Sequence, residues 1–217
     1  MENSAPAVGL VVPVFNTSPG YLDQCVSSAL GQSVEIDLVL VDDASTTPET
    51  LESLKGWIAR GVTVITHPTN LGVASALNTG IRHLSTPYVL PVCSDDIVRP
   101  DYARAARDIL DASPNVSIVA SPLELFDGNT GIWQPRPVTS PRDLLYATCL
   151  PGMSVFRRSD WDAVGRYHEG LRWGEDWDLW LRIVHDHGEA VVLGEPLYRW
   201  RSHPSQLSLD PPTWFCK

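Results

Sequence analysis

The stretch Tyr88-Val89-Leu90-Pro91-Val92-Cys93-Ser94-Asp95-Asp96 carries an apolar run straight into two adjacent carboxylates. Opened by Pro87 and rich in residues that favour extended backbone, the run reads as a buried strand, so Asp95 and Asp96 fall at its C-terminal end. Open α/β sheets bind their ligands at that end of their strands. Two neighbouring carboxylates in a partly buried place repel one another unless a proton or a cation lies between them, which points to a divalent metal with oxygen ligands. The same letters also read as a strand-to-loop turn, since Asp favours turns and Pro100-Asp101 follows.

Upstream of this run, strand and helix patterns alternate. Val8 to Phe15 reads as a first strand and the stretch bearing Leu22, Cys25, Val26, Ala29 and Leu30 as an amphipathic helix. A second strand runs from Ile36 to Val41, and a second helix opens at Thr47-Pro48, a hydroxyl cap followed by Pro in the first turn, burying Leu51, Leu54, Trp57 and Ile58. Val62 to Thr66 is the third strand, and Gly72 to Leu84 the third helix, with Val73, Ala76, Leu77, Gly80, Ile81 and Leu84 on one face. Downstream, the spacing predicts a helix carrying Tyr102, Ala105, Ala106, Ile109 and Leu110, and then a strand from Ser117 to Leu125. A turn cluster at 127–131 and a Pro-rich segment to Pro141 form a loop or hairpin. Met153 to Phe156 reads as a strand, Glu175 to about His187 as a helix, Val191 to Leu193 and Leu197 to Trp200 as closing strands, and Asp210 to Lys217 as irregular backbone. The fold class is α/β, with a mostly parallel central sheet flanked by helices in a single domain over 1–217.

Composition narrows the function. A net charge of −10 disfavours a general grip on nucleic acid, although Arg136, Arg142, Arg157, Arg158 and Arg172 leave room for a local basic face. Arg157-Arg158 and Arg199 to Arg201 also suit a small anionic ligand. The apolar fraction of 43% contains no stretch of membrane-spanning length, and Met1-Glu2-Asn3-Ser4 lacks the basic and apolar segments of a secretory signal, so a cytoplasmic location is expected. Cys25, Cys93, Cys149 and Cys216 show no CxxC spacing; reduced, mostly buried thiols are expected. No P-loop, G-x-G-x-x-G turn or G-x-S-x-G elbow is present, which removes the usual nucleotide hydrolases, dehydrogenases and serine hydrolases.

Two further acidic sites end apolar segments. Asp42-Asp43 closes the second strand, where either side chain suits a nucleobase imide or a ribose, or else a simple turn. Glu175-Asp176 opens a helix, with Asp178, Trp173, Trp177 and Trp180 nearby. Carboxylates in a first helical turn interact well with the helix dipole, yet aromatic walls also suit a sugar cleft and raise a carboxylate toward the range of a general base. Asp178 and Arg182 have the spacing of a helix-surface ion pair. His203, beside Arg201, is placed to close over a diphosphate or a metal.

Taken in order, Val11-Val12-Pro13-Val14-Phe15-Asn16, Val41-Asp42-Asp43-Ala44-Ser45, Asn70-Leu71-Gly72 with Ala76, Asn78 and Gly80, Ser94-Asp95-Asp96, Gly174 to Arg182, and Tyr198 to His203 make a series covering nearly the whole chain. This series resembles the inverting glycosyltransferases of family two, which have the GT-A fold. The resemblance implies that Pro13, Phe15 and Asn16 flank the base and ribose of a nucleotide-sugar donor, that Asp42 or Asp43 bonds the uracil or ribose, and that Asn70, Gly72 and Asn78 belong to the same donor site. It implies that Asp96, with Asp95 beside it, holds Mn²⁺ or Mg²⁺ on the diphosphate, and that Asp176, with Glu175 next to it, is the general base. His203 and Arg201 would meet the diphosphate or metal from a C-terminal flap. Residues 1–96 would then be the donor half and 97–217 the acceptor half. Many members carry a further Asp where this chain has Cys93. The implied reaction moves a sugar, UDP-linked, to a hydroxyl of a glycan or lipid; modified DNA bases are a second acceptor class, and a nucleotidyltransferase or a sugar-nucleotide-binding protein a second reading of the chain. Asn16 to Gly20 has no basic residue, unlike the first loop of nucleotidyltransferases.

Overall fold

The computed structural model of the chain describes residues 6–145, 149–204 and 206. Its centre is β1 (Val8–Val14), in which Val8, Leu10, Val11, Val12 and Val14 have no exposed surface. A parallel strand covered on both faces is apolar throughout instead of alternating, as this one is. β1 lies parallel between β2 (Ile36–Asp42) and β4 (Tyr88–Pro91), with Val14 opposite Asp42 and Val11 opposite Pro91. β3 (Thr63–Thr66) extends the sheet beyond β2. On the other side, β9 (Val155–Arg157) runs antiparallel between β4 and β6 (Val116–Ala120), and β10 (Glu189–Val192) pairs parallel with β6 at the far edge. The result is a seven-stranded sheet in the order β10-β6-β9-β4-β1-β2-β3.

Alternate residues of β1 and β2 divide between two cores. Leu10, Val12, Leu38 and Leu40 pack with α1 (Pro19–Leu30), α2 (Pro48–Ala59) and α4 (Tyr102–Ala112). Val11, Val39 and Val41 pack with α3 (Val73–His83) and with α6 (Glu175–Asp186), which follows the short α5 (Arg158–Ala163). α3 comes close to the sheet because residue 80 is Gly: a Cβ there would meet Val11 Cγ1 at 2.3 Å. No helix of the described residues is long and apolar enough to cross a membrane.

A second sheet, of four strands, was not foreseen. Its order is β5 (Ile97–Val98), β11 (Tyr198–Ser202), β7 (Leu123–Asp127), β8 (Gly131–Trp133). Residues 117–125, expected as one strand, are therefore two: β6 in the large sheet and β7 in the small one. The break falls at Ser121-Pro122, where Pro offers no N–H to a ladder and the Ser121 hydroxyl accepts the Leu197 N–H at 2.7 Å. The 127–131 cluster is the turn of the β7–β8 hairpin. In α2, Ile58 is exposed and Leu51 half-buried, with Thr50 buried instead; its hydroxyl donates to the Thr17 carbonyl at 2.8 Å. Thr47 does precede α2, but its hydroxyl meets Thr50 Oγ1 and Asn16 Oδ1, not a helix N–H. In α6, Trp177 and Leu181 are half-buried and pack against the core beside the buried Trp180 and Val184. Cys25 and Cys149 are buried as expected, whereas Cys93 is exposed; Cys216 and the segment 210–217 lie outside the described residues.

Candidate functional site

Three acidic segments meet at one edge of the large sheet. β1, β2 and β4 are parallel, so Asp42-Asp43 and Cys93 to Asp96 leave their strands on the same side. β9 is antiparallel to β4, so the loop entering β9, which contains Gly152, starts at that edge too. Gly152 lies against the third segment: a Cβ on it would come within 2.9 Å of Asp176 Oδ2 and 3.5 Å of its Cγ. Topology thus gathers groups that lie far apart along the chain, from Asp42 to Asp176.

At the end of β4, Cys93 Sγ and one oxygen each of Asp95 and Asp96 lie within 4.8 Å of one another. Asp96 is buried; its Oδ2 accepts the Tyr198 hydroxyl at 3.0 Å and its Oδ1 the Arg201 backbone N–H at 2.7 Å. Burial and then the Asp95 charge push Asp96 well above the usual carboxylate range. The site holds more negative charge than its surroundings neutralise, and the fit to a divalent cation is good on that ground. Asp95, a quarter exposed, contacts His203 Nε2 through Oδ2 at 2.8 Å, and the His203 ring packs on Tyr21 at 5.2 Å between centroids. His203 therefore lies against Asp95 at the edge of the cluster.

The second part of the site is the start of α6. Burial and then the Asp176 charge push Glu175 up to about 7, and burial raises Asp176 as well. Asp176 Oδ1 accepts the Trp177 N–H at 2.8 Å, and Oδ2 faces Gly152. Trp177 Nε1 donates to the Leu144 carbonyl at 2.6 Å and fixes the helix start against the 3-10 turn Pro141–Leu144. Asp178 and Arg182 pair as expected, with Nε and Nη2 on Oδ2 at 3.1 and 2.5 Å, and half-buried instead of on the open surface.

Several residues expected to touch a donor are occupied by the protein. Arg201 is corrected: its guanidinium is buried and bonds the Asp95 carbonyl, Gln24 Oε1 and Asp127, between the rings of Tyr21 and Phe126. Asn78 is corrected as well: its amide holds Tyr167 N–H and C=O at 3.1 and 2.9 Å and Glu169 Oε1 at 2.9 Å. Asp43 accepts Leu71 N–H and Gly72 N–H at 2.8 and 2.7 Å and contacts His67 Nδ1 at 2.8 Å, so it braces the loop before α3. Asn16 clips the ends of β1 and β2 together through Thr46 N–H and Thr47 N–H. Asp42 gives one oxygen to Ser45 N–H at 2.9 Å and has a second to offer. Phe15 stands exposed beside Pro13 at the sheet edge, and Asn70 is exposed before Gly72. The arginines do not share one face: Arg157 turns inward onto the carbonyls of Leu110, Ser113 and Val116.

Sequence reasoning missed Gly152, Tyr167 and Tyr198. Tyr198 accepts Cys93 N–H at 3.0 Å while donating to Asp96, and Tyr167 is buried next to the Glu175-Asp176 pair, whose charges add to burial in raising it. The spacing of Tyr198 before Arg201 was visible; the contact was not, because it spans two sheets.

The family model described as Glycosyl transferase family 2 matches residues 10–164. Chondroitin synthase of Escherichia coli is 26% identical over 186 residues, covering 82% of this chain and 26% of that protein. Residues 1–349 of S. aureus TarS, solved in complex with UDP-GlcNAc, superpose with a TM-score of 0.78 at 18% identity, over 94% of this chain and 61% of that one. The mannosyltransferase PcManGT of Pyrobaculum calidifontis, solved with GDP-Man and Mn²⁺, gives 0.67 at 20% identity, over 91% and 57%. These two structures share the fold. The chain spans 23 to 31% of the length of the first curated relatives it matches.

Proposed function

The chain belongs to glycosyl transferase family 2, and from that premise we propose that it transfers a sugar from a UDP-linked donor to a hydroxyl of a glycan or lipid acceptor, with inversion at the anomeric carbon. The observation that carries this reading is the meeting, at one sheet edge, of a cation-attracting carboxylate cluster with the Glu175-Asp176 pair, both raised by burial and Glu175 to about 7. The UDP-GlcNAc bound by TarS supports the choice of donor.

Asp95 and Asp96, with His203, would hold Mn²⁺ or Mg²⁺, which when bound neutralises the charge that builds on the leaving diphosphate. Asp95 takes the principal part in this assignment, because Tyr198 and Arg201 already bond both Asp96 oxygens. The exposed ring of Phe15 and the second oxygen of Asp42 suit the face and the imide of a base. In the reaction, Asp176 Oδ2 accepts the proton of the acceptor hydroxyl as its oxygen attacks the anomeric carbon. The bond from that carbon to the diphosphate oxygen breaks on the opposite side. Half-buried Trp173, just before the start of α6, would wall the approach. Residues 1–96 would supply the donor site and the later part the base and the flap. A DNA acceptor gains nothing from the structure, with Arg157 turned inward and a net charge of −10.

The test is release of UDP from UDP-sugars in the presence of Mn²⁺ and an oligosaccharide panel, with the anomeric configuration of the product read by NMR. An inverted product formed by the wild type and not by Asp176→Asn supports the reading; a retained configuration, or equal turnover by Asp176→Asn, contradicts it.

A further inference from the structure

Four side chains with ligand atoms of three kinds meet beyond β4. Cys93 Sγ and oxygens of Asp95 and Asp96 lie within 4.8 Å of one another, and His203 Nε2 is 2.8 Å from Asp95 Oδ2. One phenol fixes sulfur and carboxylate together: Tyr198 Oη accepts the Cys93 N–H and donates to Asp96 Oδ2, both at 3.0 Å. Cys25 cannot take the place of Cys93, since it is buried and its thiol is directed to the Cys93 carbonyl at 3.3 Å.

We infer that Cys93 is itself a ligand of the cation held by this cluster, and that it turns the site toward thiophilic divalent ions, Zn²⁺ and Co²⁺ ahead of Mn²⁺, and away from Mg²⁺. The inference rests on the assignment of Asp95 and Asp96 as cation ligands proposed above. Magnesium requires near-octahedral oxygen coordination and gains little from sulfur. Imidazole and thiolate suit zinc and cobalt, so a set of sulfur, imidazole and two carboxylates favours them. The bond forms as Cys93 gives its thiol proton to solvent and its sulfur lone pair to the metal, so uptake of one cation releases one proton from this residue.

The experiment is titration of cobalt(II) alone into the reduced, metal-stripped full chain, following the near-ultraviolet thiolate-to-cobalt charge-transfer band and the proton released. Cys93→Ser and Cys93→Asp are compared after circular dichroism has shown that each folds; Cys93 is exposed, so neither change opens the core. The band is expected at one equivalent in the wild type and absent in Cys93→Ser. The ratio of cobalt to magnesium affinity is expected to fall at least tenfold in Cys93→Asp. Cobalt binding without the band, a band that persists in Cys93→Ser, or no cobalt binding by the wild type overturns the inference. Calorimetry of UDP with Mn²⁺ on the same protein separates the two levels: metal-dependent UDP binding without the band removes only Cys93 from the ligand set, and failure of both removes the site.

Discussion

At the scale of single residues the chemistry lies in charges that the fold declines to neutralise. Burial and then the Asp176 charge push Glu175 up to about 7, so below about pH 7 Glu175 retains a proton, and burial also raises Asp176, which acid therefore protonates more readily than an ordinary aspartate. With Asp176 as the proposed base, turnover should rise as pH climbs out of the acid range, as a pH–rate profile at saturating donor would show; a profile flat from pH 4 to 8 would contradict it. Stability should run the other way. A carboxylate raised in the folded state contributes most below its unfolded value, and this contribution is lost as pH climbs from the ordinary 4.5 of Glu toward 7. Glu175→Gln should thus raise the melting temperature at pH 8 relative to wild type and leave it nearly unchanged at pH 4. Asp176→Asn should retain donor binding while kcat falls about 100-fold or more, the usual scale for a general base. The identities of these carboxylates were legible in the sequence as acidic pairs at element ends. That Asp96 is bonded on both oxygens while Asp95 is partly open was not, because Tyr198 arrives from 102 residues away.

At the scale of elements, a clamp holds the loop that leads to the proposed base. Asn78, inside α3, was read as a donor contact from its place in the motif; in the structure it bonds both backbone groups of Tyr167, in the loop that leads into α6. Asn78→Ala leaves a buried N–H and C=O without partners and should lower stability by about 1–3 kcal/mol in urea denaturation. It should also lower kcat more than it raises KM for the donor. Gly80→Ala should destabilise by a similar amount, about 1–3 kcal/mol, since its methyl would overlap Val11 and force α3 away from β1. The strand–helix alternation of residues 8–91 was readable because β1, β2 and β4 hold long apolar runs and each helix between them has one apolar face. The second half was read less well: Pro122 splits an apolar run between two sheets, and no local pattern tells which sheet receives which piece.

At the scale of the whole molecule, Arg201 joins the parts. Its guanidinium and backbone bond Gln24 of α1, the Asp95–Asp96 turn and Asp127 of β7, and so tie the large sheet to the small one beneath the cation cluster. A family motif placed this arginine at the diphosphate; burial gives it an architectural task instead. The central claim is that this junction holds a nucleotide diphosphate through a cation on Asp95, with Asp176 reserved for the acceptor. It is tested most directly by calorimetric titration of UDP, with and without Mn²⁺, into wild type, Asp95→Ala and Asp176→Asn. The prediction is one-to-one binding that requires Mn²⁺, is lost in Asp95→Ala and is retained in Asp176→Asn. Binding that ignores both the metal and Asp95, or no binding of UDP by the wild type, would contradict it.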